Sequence, residues 1–462
     1  MKRSSFTGIL FRGGAFLSVL LMAIVTGDAR AGSAHPKPPP GGPSPIQHII
    51  FIVQENRSFD SYFGAFPGAN GAATGRTCTS AMTPCPTGAQ GTVPLHDLVD
   101  TSTHMLPNFA HSWSSAHRAY DLGAMDKFNQ ASGCGAPAYA CYVRATKSDI
   151  PNYWALAQRF VLGDNAYSSV MGPSFPNHLY TVAARSGPEF VSTNPRDSSV
   201  IDNPVLNGSE PRIWGCDANP NATVQTLTAA SSLPPSFPGR AIKPPPCWSN
   251  SQVATLASEM NAHAGSTWKY YVPNMRESND SLASFRDVNV ESTTAHPNGI
   301  DMHPTGFTDD VRNNHLPQFS WLSAPHDQNE HPGQSTSCQG ENWVTERINA
   351  VMNNPTVWNS SVIVVTWDDY GGLYDHVPPM KLDGVGLGFR VPFLIISPYA
   401  EHKVSHRFYD FTSVLKYAEA QFLGRTTPGL SARESQVQSI EGDLNFAATP
   451  IKPMTLPLHT CH

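Results

Sequence analysis

Two β-branched runs end in oxygen-bearing side chains, and no other feature narrows the fold as much. Ile49-Ile50-Phe51-Ile52-Val53 runs through Gln54 into Glu55-Asn56, and Val362-Ile363-Val364-Val365 runs through Thr366-Trp367 into Asp368-Asp369. Unbroken apolar runs of this length, without polar alternation, are the pattern of strands buried on both faces. In open α/β sheets ligands sit outside the carboxyl ends of the strands. If the two ends converge, three carboxylates and an amide form a site for a hard divalent cation, and a phosphate-bearing substrate is the leading candidate for its remaining coordination positions.

Three further strand candidates follow the same logic. Phe160-Val161-Leu162 leads into Gly163-Asp164-Asn165, Gln318-Phe319-Ser320-Trp321-Leu322 leads toward His326 and Asp327, and residues 391–396 precede Ser397-Pro398. Helical spacing intervenes, as at residues 342–352, where Val344, Ile348 and Val351 recur on one face. Strands alternating with helices predict an α/β fold: a mainly parallel sheet with helices on both faces. The candidate site residues are scattered from Glu55 to His376, which favours one catalytic domain over residues 47–462 with long loop insertions. Pro and Gly concentrate in 66–93 and 204–246, read as surface loops.

The amino terminus reads as an export signal. Lys2 and Arg3 precede an apolar stretch at 15–26 and an Ala29-Arg30-Ala31 cleavage site, giving a signal peptide over 1–31 and a Pro/Gly-rich flexible leader over 32–46. A secreted or periplasmic location is expected. Eight cysteines suit an oxidising compartment. Pairing by proximity gives Cys78–Cys85, Cys134–Cys141, Cys216–Cys247 and Cys338–Cys461, one of 105 connectivities. No C-x-x-C pair suggests a thiolate metal centre. A net charge of −6 and pI near 6.3 provide no basic field for nucleic acid.

Met171-Gly172-Pro173-Ser174-Phe175-Pro176-Asn177-His178-Leu179 places Ser174 at or just before a helix start, since Pro176 suits a first turn. There the helix dipole favours an anion, whether a serine alkoxide or a phosphate; the plainer role for Ser174 is an N-cap. The stretch is no G-x-S-x-G elbow, because no glycine follows two residues on. Pro325-His326-Asp327-Gln328-Asn329-Glu330-His331-Pro332-Gly333 suits an active-site rim, with His331 able to protonate a leaving alkoxide and His326 able to hold a phosphoryl oxygen. His376 follows the acidic pair through Gly371-Gly372, where glycines let backbone pass close to a ligand.

Gln54-Glu55-Asn56-Arg57-Ser58-Phe59-Asp60-Ser61-Tyr62-Phe63-Gly64 resembles the opening motif of the phosphoesterase family that contains non-specific phospholipases C and a bacterial acid phosphatase. The resemblance continues in His111-Ser112-Trp113, Pro173-Ser174-Phe175-Pro176-Asn177, Glu330-His331-Pro332, and Trp367-Asp368-Asp369-Tyr370-Gly371-Gly372 with Tyr374-Asp375-His376-Val377. It implies an alkaline-phosphatase-like fold and metal-assisted phosphoryl transfer. Glu55, Asn56, Asp368 and Asp369 resemble the metal ligands, Ser174 the nucleophile and a further ligand, and His111 and His331 the histidines serving the phosphoryl and leaving groups. His326 and His376 join them as candidates. The chain differs from many phospholipase C relatives in carrying Ser174 where they often have threonine and His178 where they often have arginine.

A divalent cation is therefore expected; the oxygen ligands suit calcium, manganese or magnesium, with zinc the nitrogen- and sulfur-seeking alternative. The expected activity is phospholipase C-type hydrolysis of a phospholipid or small phosphoester, with transient membrane-surface contact. A monoester-cleaving acid phosphatase and a catalytically inactive exported binding protein are the alternatives.

Overall fold

In the computed structural model, residues 44–190, 192–205, 214–227, 240–273, 280–288 and 298–461 are described. The signal peptide and most of the leader lie outside them. The strands of the main sheet are β1 (His48–Gln54), β2 (Val161–Gly163), β3 (Trp268–Tyr271), β4 (Gly299–Asp301), β5 (Phe319–Ser323), β6 (Ser361–Trp367), β7 (Phe393–Ile396) and β8 (Lys403–Ser405). Their order is β4-β3-β5-β1-β6-β7-β2-β8. All neighbours run parallel except β7, which is antiparallel to both β6 and β2. The two runs singled out in the sequence are thus the adjacent central strands. Their apolar residues are all buried, as expected of strands covered on both faces.

The register carries the functional consequence. His48 pairs with Ser361 and Gln54 with Trp367, so β1 and β6 end level with one another. Asp368 N–H donates to the Gln54 carbonyl at 2.9 Å, extending the ladder by one step. Glu55-Asn56 and Asp368-Asp369 consequently leave the sheet side by side. β5 flanks β1 on the other side, with Ser323 level with Val53, and delivers the 326–331 loop to the same end.

Helices cover both faces. Phe51, Trp321 and Val364 share a register level and a face. There Trp321 Nε1 donates to the Thr181 carbonyl of the helix Ser174–Ala183. Gln54 and Trp367 point the other way, where Trp367 packs edge-on against Tyr62 and Tyr153. In chain order the main helices are α1 (Pro151–Arg159), α2 (Ser174–Ala183), α3 (Leu256–Ala262), α4 (Ser337–Met352) and α5 (Thr412–Leu423). α2, α3 and α5 pack together, and α1 packs against α4. The helix expected over 342–352 starts earlier, at Ser337, because Thr336 and Gln339 form a capping box.

The stretch 66–93, read as loop, contains most of a hairpin pairing Thr74–Cys78 with Gln90–Pro94. Its mixed polar residues lack the alternation that marks a half-buried strand. Within 204–246, Val224–Thr226 pairs with Arg240–Ile242. Disulfides join Cys78–Cys85, Cys134–Cys141, Cys216–Cys247 and Cys338–Cys461, the scheme that proximity gave.

Candidate functional site

Ser174 is the first residue of α2, after Pro173 in the cap position, and neither side chain makes a capping bond. The cap comes from a distant loop: Asn203 Oδ1 accepts from the Phe175 N–H at 2.8 Å. Asn177 fixes the approach, accepting from Val170 N–H and donating to the carbonyls of Val170, Gly172 and Pro173. Relieved of capping, the Ser174 hydroxyl points into the strand ends. Its Oγ lies 3.3 Å from Glu55 Oε2, 3.4 Å from Asn56 Oδ1 and 3.3 Å from Asp369 Oδ2.

The strand ends are held by their own backbone. Asp368 Oδ1 accepts from the Asn56 N–H at 2.8 Å, and Asp369 Oδ1 from the Gly371 N–H at 2.6 Å. Asn56 sits at φ 61°, a left-handed conformation that asparagine tolerates better than most residues. Gly371, at φ 60°, passes so close to it that a Cβ there would meet the Asn56 carbonyl oxygen at 2.6 Å. The buried Arg57 donates to that same carbonyl and to Asp100, so the turn is clamped from both sides.

His111 and His331 converge on the Asn56 amide. His111 Nδ1 bonds the Phe109 carbonyl at 2.6 Å and His331 Nδ1 the Pro332 carbonyl at 2.9 Å, so each ring turns Nε2 toward the site. In one orientation the Asn56 amide lies 3.3 Å from His111 Nε2; in the other, its oxygen accepts from His331 Nε2 at 3.3 Å while its nitrogen donates to Glu55 and Asp368. Burial lowers the pKa of His111, and burial together with the charge of His111 lowers that of His331 to about 4. Burial thus favours the neutral imidazole at both positions before any anion arrives.

The other two histidines go elsewhere. His326 is exposed and bonds Gln334 at the loop rim. His376 Nδ1 bonds Asp60 at 2.7 Å in a separate cluster, where the buried Arg390 pairs with Asp375 and Asp60. Burial alone would lower its pKa, but Asp60 and Asp375 outweigh that and hold it above the usual value. Sequence proximity to Asp369 did not become proximity in space, because the double turn at Gly371-Gly372 leads the chain away.

His178 is the site residue that the sequence reading did not place. One turn after Ser174 on α2, it lies on the same helix face, and its Nε2 sits 2.9 Å from Glu55 Oε1 and 3.8 Å from Asp368 Oδ2. Helical i, i+4 spacing was the available signal. Glu330 is the second omission. Fully buried, it accepts from Tyr62, Tyr153 and Trp367 and anchors the loop under His331; burial pushes its carboxyl up to about 7.

The donor set fits a divalent cation. Burial and the neighbouring Glu55 charge raise the Asp368 pKa to about 6, and burial with the Asp368 charge raises that of Asp369 well above the carboxylate range. Like charges facing one another away from water call for a counter-ion. Glu55, His178 and Asp368 each place a ligand atom within 4.8 Å of the others. Oxygen donors from Asn56, Ser174 and Asp369 complete a mixed set dominated by oxygen.

A model of the Phosphoesterase family matches residues 46–423. Hemolytic phospholipase C of Pseudomonas aeruginosa is 31% identical over 419 residues, covering 82% of this chain and 53% of that protein. Phospholipase C B of Mycobacterium tuberculosis is 27% identical over 463 residues, covering 89% of this chain and 80% of its own. The chain thus spans about half the length of the Pseudomonas relative. Among solved structures, a protein in the alkaline phosphatase superfamily from Vibrio parahaemolyticus superposes with a TM-score of 0.34 at 10% identity, over 87% of this chain and 73% of its own. At that score the sheet topology, not the superposition, carries the fold.

Proposed function

The chain belongs to the phosphoesterase family, and from that premise we propose that it hydrolyses phosphodiesters in the manner of a phospholipase C, with Ser174 as nucleophile and a divalent cation at Glu55, Asn56, Ser174, Asp368 and Asp369. One observation carries this reading: a serine at a helix start, free of any capping bond, aims its hydroxyl at oxygens from two central strand ends. A structural serine would have spent that hydroxyl on the helix.

When bound, the cation supplies charge to neutralise phosphoryl oxygens and to favour ionisation of the serine hydroxyl. The side chains do the rest. Glu55, whose Oε2 lies 3.3 Å from Ser174 Oγ, is placed to take its proton as the Oγ–P bond forms and the ester P–O bond to the alcohol breaks. His111 and His331, with Nε2 facing the same amide, bracket the phosphoryl position. An arriving phosphate anion raises their pKa, so the proton required by the leaving alcohol oxygen is taken up along with the substrate. Water then cleaves the serine ester, giving a proton to the histidine, while the Glu55 carboxyl returns its proton to the departing Ser174 oxygen and restores the hydroxyl.

The donor atoms leave calcium, manganese, magnesium and zinc open, with the His178 nitrogen the feature that brings zinc into range. The four disulfides support an exported protein, and among the described residues no helix is long and apolar enough to cross a membrane. Parallel assays on p-nitrophenyl phosphate, bis(p-nitrophenyl) phosphate and phosphatidylcholine, each with chelator and with added metal, test the reading. Metal-dependent diester cleavage is expected. Cleavage of the monoester alone would make the protein a phosphatase, and no turnover with any metal would remove the enzymatic reading.

A further inference from the structure

Three neighbouring loops each expose a large apolar side chain. Met82 is 68% exposed, Leu122 59% and Met380 47%. The loop carrying Met82 is closed by the Cys78–Cys85 disulfide and pinned by the buried Lys127, whose ammonium donates to the Met82 carbonyl and the Thr83 hydroxyl. Lys127 also pairs with Asp121 at 2.9 Å, and Asp121 accepts from the Cys85 N–H at 2.8 Å. The residue before Leu122 is thereby bound into the Met82 loop. On the other side, a Cβ on Gly123 would lie 4.0 Å from the Pro378 side chain, two residues before Met380. The three tips therefore belong to one surface, held in place by buried contacts.

Leucine is poorly suited to position 122 on folding grounds. Its φ of 57° is left-handed, where asparagine or glycine fits with less strain, and its side chain gains little from burial. The rim around these tips is cationic. Residues 76–86, 117–124 and 377–382 contribute exposed Arg76, Arg118 and Lys381, and Asp121, their single carboxylate, is buried against Lys127. Arg76 donates to the Ala124 carbonyl, which ties it to the turn that carries Leu122. This balance is opposite to the net charge of −6 of the whole chain. Separate apolar tips among lysine and arginine match the headgroup region of an anionic bilayer, where the tips reach acyl chains and the cations meet lipid phosphates. A protein partner would call for a continuous, complementary face.

We propose, resting on the phospholipase-type reading above, that Met82, Leu122 and Met380, with Arg76, Arg118 and Lys381 around them, dock the protein on an anionic phospholipid surface. The helix Trp113–Tyr120 links this surface to the candidate site. It starts two residues after His111, ends two residues before Leu122, and its eight residues span about 12 Å. Docking there concentrates lipid substrate near the site and leaves the chemistry at Ser174 unchanged.

The test is co-sedimentation of the chelator-treated protein with vesicles of equimolar phosphatidylglycerol and phosphatidylcholine, so that binding is read without turnover. The wild type should bind these vesicles more tightly than pure phosphatidylcholine and release them at molar salt. Leu122→Asn, which suits the left-handed backbone and should melt no lower than wild type, should weaken binding by about tenfold, and its combination with Met82→Ser and Met380→Ser by about a hundredfold or more. Supplied with metal, Leu122→Asn should keep wild-type turnover of soluble bis(p-nitrophenyl) phosphate and lose turnover on the mixed vesicles. No vesicle binding by the wild type, or binding that the triple variant retains, overturns the docking assignment. A concentration-dependent dimer that Leu122→Asn dissolves, without vesicle binding, would make the patch a self-association face instead. Failure of the wild type to cleave bis(p-nitrophenyl) phosphate contradicts the phosphodiesterase reading, while sedimentation decides the docking surface separately.

Discussion

Gly371→Ala tests whether the turn behind the acidic pair holds the site to sub-ångström tolerance. At φ 60° an alanine costs about 1–2 kcal/mol relative to glycine from backbone strain alone. Its Cβ would also meet the Asn56 carbonyl oxygen at 2.6 Å and the Asn56 Cβ at 2.7 Å, against ordinary contact beginning at 3.4 Å. Something must retreat by about 0.8 Å. The neighbour that retreats is Asn56, which is clamped by Arg57 and bonded through its N–H to Asp368. Displacement on that scale in a catalytic constellation costs about 100-fold in turnover. Gly265→Ala is the control: its φ is 85° and nothing lies within 4 Å of the added carbon. It should lose comparable stability and keep its activity. Steady-state kinetics with thermal melts on both variants read the outcome. If Gly371→Ala lost only stability, as the control does, the close approach would have no bearing on the site.

Asp369→Asn should abolish metal-induced thermal stabilisation and depress turnover on every substrate, while the metal-free protein melts no lower than wild type because one of several repelling buried carboxylates is gone; calorimetry with and without chelator checks both parts. Glu341 gives a pH prediction. Burial raises its folded pKa to about 8 from 4.5, so the fold favours its protonated form: the penalty is absent below about pH 4.5 and grows as pH rises toward 8. Wild-type stability should therefore decline between pH 5 and 8, and Glu341→Gln, which keeps a carbonyl for the Tyr153 N–H, should flatten that decline by up to roughly 4 kcal/mol; parallel slopes in denaturant titrations would refute the assignment. Cys461→Ser opens the disulfide that ties the carboxyl-terminal segment to α4 across 123 residues, and should cost about 4–5 kcal/mol in the loop-entropy account. Denaturant midpoints of reduced and oxidised protein provide the comparison.

The sheet was readable because β1 and β6 are long, β-branched and free of polar alternation, and their acidic ends announced the site. The convergence of those ends needed the Gln54–Trp367 register, which no local pattern encodes. Ser174 was legible as a helix start, but its hydroxyl being free of capping depends on Asn203, a residue 29 positions away that accepts from the Phe175 N–H. His178 was visible as an i, i+4 partner of Ser174 and as a departure from the family pattern; only the fold shows it meeting Glu55. His376 shows the opposite failure, since seven residues of separation from Asp369 counted for less than two positive-φ glycines between them. Glu330 carries no signal of its own, because it acts through a buried set of donors.

The most direct measurement is rapid quenching of the metal-supplied enzyme with p-nitrophenyl phosphorylcholine, followed by peptide mass spectrometry. A phosphorylcholine ester on Ser174, formed within one turnover and absent from Ser174→Ala, is the predicted result. The same variant should lose several orders of magnitude in kcat with a stability change below about 0.5 kcal/mol, since its hydroxyl makes no capping bond. An unmodified Ser174 during steady turnover, together with near-normal kcat in a folded Ser174→Ala protein, would contradict the account and leave water as the nucleophile.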